Sequence, residues 1–295
     1  MSAETPQERS YIFDRESSAE MARLVNQDRL VTRAMGGPLS GLPDGDHLPE
    51  QASVLDIACG PGDWVLDVAY AFPDFEVAGV DMSRSMVDYA NARARSEGLA
   101  NASFGVMDIT YPLDFADASF DLVNARYLTG ALKREMWPVF LKEALRLLRP
   151  GGILRLTEPD DTGQSSSAAF QQGGRWFMQA MKQVGYGFSP DGSSFGMFPQ
   201  LRWLSQEAGF QQIRQTAHVI DFSQDTSAWA DFYQGVQVAF PQSLPLLRTV
   251  ATQNEVEEVY RETLIQMNDP SFRAIWILLT MCGRKPCETT TVSTD

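Results

Sequence analysis

The stretch Asp56-Ile57-Ala58-Cys59-Gly60-Pro61-Gly62 decides the fold. It closes a short apolar run, VLDIA at 54–58, and precedes a helical pattern at 64–71, so its glycines sit in a strand-to-helix turn. Gly60 and Gly62 let the backbone turn tightly and approach a ligand without a Cβ in the way, while the following helix presents free N–H groups. A nucleotide-like ligand suits such a turn. Nineteen positions beyond Gly62, the run FEVAGVD at 75–81 ends in Asp81, where a carboxylate can accept two hydrogen bonds from ribose hydroxyls. A dinucleotide turn of the GxGxxG type needs a third glycine, and Val65 stands there, too large for the close helix–strand contact, which disfavours NAD. Asp56 adds a carboxylate able to hold the turn's N–H groups or, through water, a ligand's ammonium.

Outward from that turn, strand-like and helix-like segments alternate: 54–58, 64–71, 75–81, 83–97, 102–108, 120–127, 134–148 and 153–160. Regular alternation of this kind predicts a doubly wound, mainly parallel α/β sheet with helices on both faces, and apolar runs such as VLDIA and FDLVNA fit buried parallel strands. Residues 1–50 read as an N-terminal helical lid and linker, with helical spacing from 17 to 35 and turn formers at 41–51. Residues 51–160 form the core. The pattern then loosens into a cap segment, 161–211, followed by 212–285, which completes a seven-stranded sheet around a helical insertion at 223–270. The Thr- and Ser-rich end, 286–295, reads as a flexible tail.

The 295 residues carry 24 Lys+Arg against 38 Asp+Glu, a formal charge of −14. That field repels a phosphate backbone, so nucleic acid is not expected as a partner. Cys59, Cys282 and Cys287 are odd in number and lack paired metal spacing, which points to a reducing compartment and to no metal site. The chain reads as cytoplasmic, with no apolar stretch long enough to span a bilayer. Apolar residues in the insertion leave a homodimer open.

Over residues 53–160 the chain resembles the class I S-adenosylmethionine-dependent methyltransferases, with a Rossmann-like fold. DIACGPG looks like their glycine-rich first motif, and VAGVDMSRSMVDYA at 77–90 like their second. The resemblance implies S-adenosylmethionine as cofactor. It would place Asp56, Ala58, Gly60 and Gly62 at the amino-acid end, Asp81 and Met82 at the ribose, and Asp108 at the adenine amino group between Met107 and Ile109. Asn124 and Ala125 match positions whose backbone receives the methionine moiety, and LLRPGGILRLTEPD at 147–160 is similar to the stretch through the fifth strand. Within the class the chain looks most like the small-molecule branch related to ubiquinone and menaquinone C-methyltransferases. O- or C-methylation of an apolar or aromatic small molecule by in-line displacement is therefore expected.

Each of these residues also has a plainer reading. Asp81 could cap the next helix, although Ser83 is the better cap, and Asp108 could simply form a turn before Thr110. Cys59 reads as packing. Methyl displacement mainly needs the acceptor aligned, so a base is optional; Tyr127, Glu158 and His218 are the catalytic candidates, with structural roles open to Glu158 and His218. Substrate-binding candidates are Arg126 on the sheet rim, Arg175, Trp176, Tyr186, Trp229 and Tyr233 in the cap, and, as the resemblance implies, Tyr11 and Phe13 in an N-terminal lid folding over the cofactor. Those aromatics could equally be core. Three rivals stand beside this reading: a protein or RNA methyltransferase, a protein that binds the cofactor in a regulatory role, and a cofactor-bound enzyme of non-methyl chemistry.

Overall fold

The computed structural model describes residues 13–14, 16–43 and 47–287. Helix α1 (Ser18–Met35) starts at Ser17, whose hydroxyl accepts the Glu20 N–H, and ends at Gly36 in the left-handed conformation. Then follow β1 (Ser53–Ile57), α2 (Asp63–Ala71), β2 (Glu76–Asp81), α3 (Arg84–Glu97), β3 (Ala102–Val106) and β4 (Phe120–Arg126). A 3-10 turn, Leu128–Gly130, leads on towards α4 (Trp137–Leu147), β5 (Leu148–Pro159) and the two-residue β6 (Gln164–Ser165). The chain continues through α5 (Ala168–Gln183), α6 (Met197–Ala208), β7 (Gln211–Asp221), α7 (Trp229–Leu247), α8 (Gln253–Met267) and β8 (Ala274–Arg284).

Strands β3, β2, β1, β4 and β5 lie side by side in that order and run parallel. β8 is antiparallel to β5, and β7 covers its other edge. β6 pairs Gln164 with Ile275, a residue already paired to Asp221 of β7, so it extends the row of β5 rather than adding a column. The sheet thus has the expected seven columns.

Side chains alternate across the sheet, and two cores result. Leu55, Ile57, Val123 and Leu154 pack with Trp137, Phe140 and Leu201 on one face. Val54, Leu122 and Ile153 pack with Trp64, Val65 and Val68 of α2 on the other. A third cluster joins α1 to the later segments through Val31, Met35, Phe170, Phe222, Met267 and Phe272.

Two features differ from expectation. Helix α6, placed in the cap segment by its position in the chain, packs against α4 and against β5, β7 and β8; only α5 of that segment joins the cap. The helical insertion at 223–270 holds two helices, separated because Thr252 starts α8 with a reciprocal capping box to Glu255. The cap is therefore α1, α5, α7 and α8, packed on one another. Of the tail, residues 288–295 lie outside the described residues, as does Tyr11 of the lid. No helix among the described residues is long and apolar enough to cross a membrane.

Candidate functional site

The carboxyl ends of β1, β2 and β4 open into a cavity of about 410 Å³, roofed by α1, α5 and α7. This is where a switch in strand order leaves a crevice in open α/β sheets, and the volume suits a small-molecule site. At one end its wall is Asp56, Ala58, Cys59, Gly60, Asp81, Met82, Met107, Asp108 and Ile109. These come from three separate segments.

The loop after β1 is held open by its own chemistry. Asp81 accepts the Gly60 N–H at 2.9 Å on one oxygen and the Ser83 N–H at 2.8 Å on the other, tying the glycine turn to the start of α3. A carboxylate has about four acceptor positions, so Asp81 can serve several donors at once. Ser83 caps α3 by accepting the Met86 N–H, as the sequence suggested. Ala58 and Gly60 both have positive φ, a conformation that glycine adopts at least cost. Gly62, by contrast, is not on the cavity wall. Its φ is +84°, and a Cβ there would lie 2.6 Å from the Phe104 ring, so this glycine serves helix–strand packing instead of a ligand. Burial pushes the Cys59 thiol well up, which keeps it protonated and inert. Asp108 lines the cavity while accepting the Thr110 N–H (2.9 Å) and hydroxyl (2.7 Å), so it is a turn former and a wall residue together.

Asn124 and Ala125 do not reach the cavity. Register puts Asp56, Asn124 and Arg155 in one row across β1, β4 and β5, all facing α2. The Asn124 amide donates to Asp56 at 2.7 Å and accepts from Arg155 at 2.5 Å, and Arg155 donates twice more to the Ser40 carbonyl of the N-terminal linker. Burial raises the Asp56 carboxyl to about 7, opposed by the Asn124 bond and the Arg155 charge. Asp56 therefore sits at the cavity end of a buried polar row.

At the rim, Arg126 and Tyr127 do line the cavity. Arg126 forms an ion pair with Asp28 of α1 and donates to Thr32 at 3.0 Å. Burial lowers Arg126 to about 10, still charged at neutral pH, and a carboxylate in contact favours the charged form further. Tyr127 has φ +61° and stacks on Trp276 at 5.8 Å. Its hydroxyl is buried without completing a hydrogen bond of normal geometry, although the Gln27 amide faces it. Burial raises the phenol further above its ordinary value, so Tyr127 is a neutral donor.

Glu158 proves to be a positioning residue. It is fully buried behind the wall and accepts the Leu128 N–H (2.9 Å), the Thr129 N–H (3.0 Å) and the Thr129 hydroxyl (2.6 Å), pinning the turn that follows Tyr127. Burial pushes its carboxyl up to about 7. His218 lies on β7, hydrogen-bonded to Thr280 at 3.1 Å and away from the cavity; burial lowers its pKa.

Among the cap candidates, Phe13 is on the wall, stacked with Phe177 at 6.3 Å, and Arg23 lies over its ring. The others are elsewhere. Tyr186 is core, Arg175 is exposed and bonded to Gln172, Trp176 is off the wall, and Trp229 donates to the Met267 carbonyl while stacking on Tyr233. The chamber is lined instead by Phe170, Gly173, Gly174 and Phe177 of α5 and by Phe232, Gly235, Val236, Ala239 and Phe240 of α7. Those positions recur at three- and four-residue intervals, a helical stripe that the sequence displays once each helix is phased.

The wall fits a flat nucleoside with a cationic amino-acid end. Methionine and isoleucine side chains can sandwich a ring, Asp81 and Asp108 can accept from hydroxyl and amino groups, and Asp56 supplies anionic character at the glycine turn. Residues 54–152 match the family model described as a methyltransferase domain. That match, with the fold, the glycine turn and the paired acids, supports an S-adenosylmethionine-dependent methyltransferase with S-adenosylmethionine as its cofactor.

More particularly, the chain is 27% identical over 203 residues to the demethylmenaquinone methyltransferase of Lactococcus lactis, spanning 64% of this chain and 74% of that one. Two solved structures share the fold. One is from the complex of the Haloferax volcanii Trm112 methyltransferase activator with its methyltransferase, at 17% identity and TM-score 0.55, covering 93% of this chain and 98% of that one. The other is the YcgJ protein of Bacillus subtilis, at 16% identity and TM-score 0.54, covering 81% and 94%.

Proposed function

We propose that the protein transfers a methyl group from S-adenosylmethionine to an apolar small-molecule acceptor held beneath α5 and α7. The observation that carries this is one continuous cavity, whose carboxylate-lined end opens into a chamber walled by Phe170, Phe177, Phe232, Val236 and Phe240. When bound, the cofactor supplies an electrophilic methyl group on a sulfonium. Gly60 leaves space for its amino-acid end, Asp81 and Asp108 accept from its ribose and adenine, and Met82, Met107 and Ile109 flank the ring. The cap aligns the acceptor and excludes water, which is the main requirement for a displacement that needs no covalent work from the protein. No base in the cavity is needed for that role, and neither Glu158 nor His218 lines the cavity to supply one.

Demethylmenaquinone, named for the Lactococcus relative, is one apolar acceptor to try. A roofed cavity and the charge of −14 both weigh against protein or RNA as the acceptor. Calorimetric titration with S-adenosylmethionine, with NADH as control, tests the cofactor site. The expected affinity is micromolar, about −8 kcal/mol, weakened by about 2 kcal/mol in Asp81→Ala. No heat from the folded protein, or tighter binding of NADH, would remove the proposal.

A further inference from the structure

Four residues of the cavity wall carry a buried polar atom with no hydrogen-bond partner: Asp63 (Oδ2), Thr263 (the hydroxyl), and, at the meeting of α1 with the end of β4, Asp28 (Oδ2) and Tyr127 (the hydroxyl). The last two are linked. They belong to neighbouring pairs. Asp28 uses Oδ1 to bind Arg126, the residue before Tyr127, while Gln27, the residue before Asp28, faces the Tyr127 phenol. An acceptor atom and a donor atom thus belong to the same stretch of cavity wall, at the junction of α1 with the end of β4. Leaving both unsatisfied costs stability, and in native proteins such groups are rarely orphaned without use.

The Tyr127 backbone is held in a strained conformation to present this group. A tyrosine at φ +61° is disfavoured, and the surroundings over-determine it. Its own N–H donates to the Thr157 carbonyl, its carbonyl accepts the Gly130 N–H, and Glu158 fixes the next two residues with three bonds. Strain maintained by a buried carboxylate points to a side chain that must aim into the cavity.

We propose that Asp28 and Tyr127 together anchor a hydroxyl of the methyl acceptor, whose O–H donates to Asp28 Oδ2 while its oxygen accepts from Tyr127. The acceptor class follows from the charges. Asp28 is already neutralised by Arg126, so the pair as a whole attracts neither a cation nor an anion, and an uncharged hydroxyl fits it. Trp276, stacked on Tyr127, and Phe232, edge-on to Trp276 at 5.5 Å, set aromatic surfaces beside the anchor. A hydroxylated aromatic ring matches both features. The inference rests on the cavity being the acceptor site proposed above.

The test uses the full chain saturated with S-adenosylhomocysteine, so that binding is read without turnover. The probes are 2-naphthol and 2-methoxynaphthalene, which share a ring system and differ in the donor hydrogen. Wild type is expected to bind 2-naphthol about tenfold more tightly, and Asp28→Asn and Tyr127→Phe each to cut that preference to about twofold or less. Asn keeps the Oδ1 acceptor for Arg126 and replaces Oδ2 by a donor. Because Tyr127→Phe removes an unpartnered buried hydroxyl, it is also expected to melt at or above the wild-type temperature with S-adenosylhomocysteine affinity unchanged. If Asp28→Asn fails to fold, Tyr127→Phe decides alone. Equal binding of the two probes by wild type, or a preference that survives in Tyr127→Phe, would overturn the anchor. Failure of both naphthalenes to bind while S-adenosylhomocysteine binds would overturn the apolar-acceptor reading with it, whereas loss of S-adenosylhomocysteine binding would count against the cofactor site.

Discussion

Replacing Glu158 by Gln isolates a buried titration that shapes the protein's pH stability. In the folded chain burial raises this carboxyl from 4.5 to about 7, against three hydrogen bonds from Thr129 and Leu128 that pull the other way. The folded state therefore holds the Glu158 proton more tightly than the unfolded chain does. Its stabilising contribution is complete below the unfolded value and is lost as pH rises towards 7. At about 1.4 kcal/mol per pH unit, the interval from 4.5 to about 7 amounts to on the order of 3 kcal/mol as a ceiling. Glutamine cannot titrate, so Glu158→Gln should lose less stability than wild type between pH 5 and pH 8. Asp56, raised to about 7 by burial, falls in the same direction but is present in both proteins and cancels. Urea denaturation across that range, at fixed ionic strength, measures the two slopes. Parallel curves would show that Glu158 does not titrate there and refute the account of its burial.

Three further outcomes follow from the packing. Gly62→Ala forces a Cβ to 2.6 Å from Phe104 at φ +84°, and should cost about 2–4 kcal/mol in thermal unfolding; a loss below 1 kcal/mol would contradict the close approach. Gly235 lines the chamber, and a Cβ there meets nothing within 4 Å. Gly235→Leu should therefore stabilise α7 by up to about 1 kcal/mol while blocking acceptor binding, with S-adenosylhomocysteine affinity unchanged in calorimetry. Arg155→Met orphans Asn124 and the Ser40 carbonyl and removes the charge beside Asp56; a loss of about 3 kcal/mol is expected, measured by urea denaturation at neutral pH.

The parallel core was legible because its signals are local. Apolar strands of five to eight residues, a glycine turn after the first and an acid at the end of the second each occupy a short window, and every one constrains the same topology. Gly62 shows the limit of that logic. Its presence in the motif suggested a ligand, yet its neighbour is Phe104, a contact that exists only once β3 lies beside β2. Tyr186 and Trp229 are cap aromatics in the sequence, whereas helical phase gives Phe177 and Phe232 the positions on the cavity wall.

The sequence alone determined the class of the sheet, the glycine turn and the acids around it, because hydrophobic period and turn chemistry act over a few residues. Tertiary structure alone decided that Glu158 supports a turn instead of touching a ligand, that Arg155 closes a row from Asp56 to Ser40, and that Asp28 meets Arg126 across 98 positions of chain. Such pairings depend on register between strands and on where a lid helix lands. Neither leaves a trace in the spacing of residues, since a buried carboxylate looks the same in sequence whether it faces a cavity or the turn behind it.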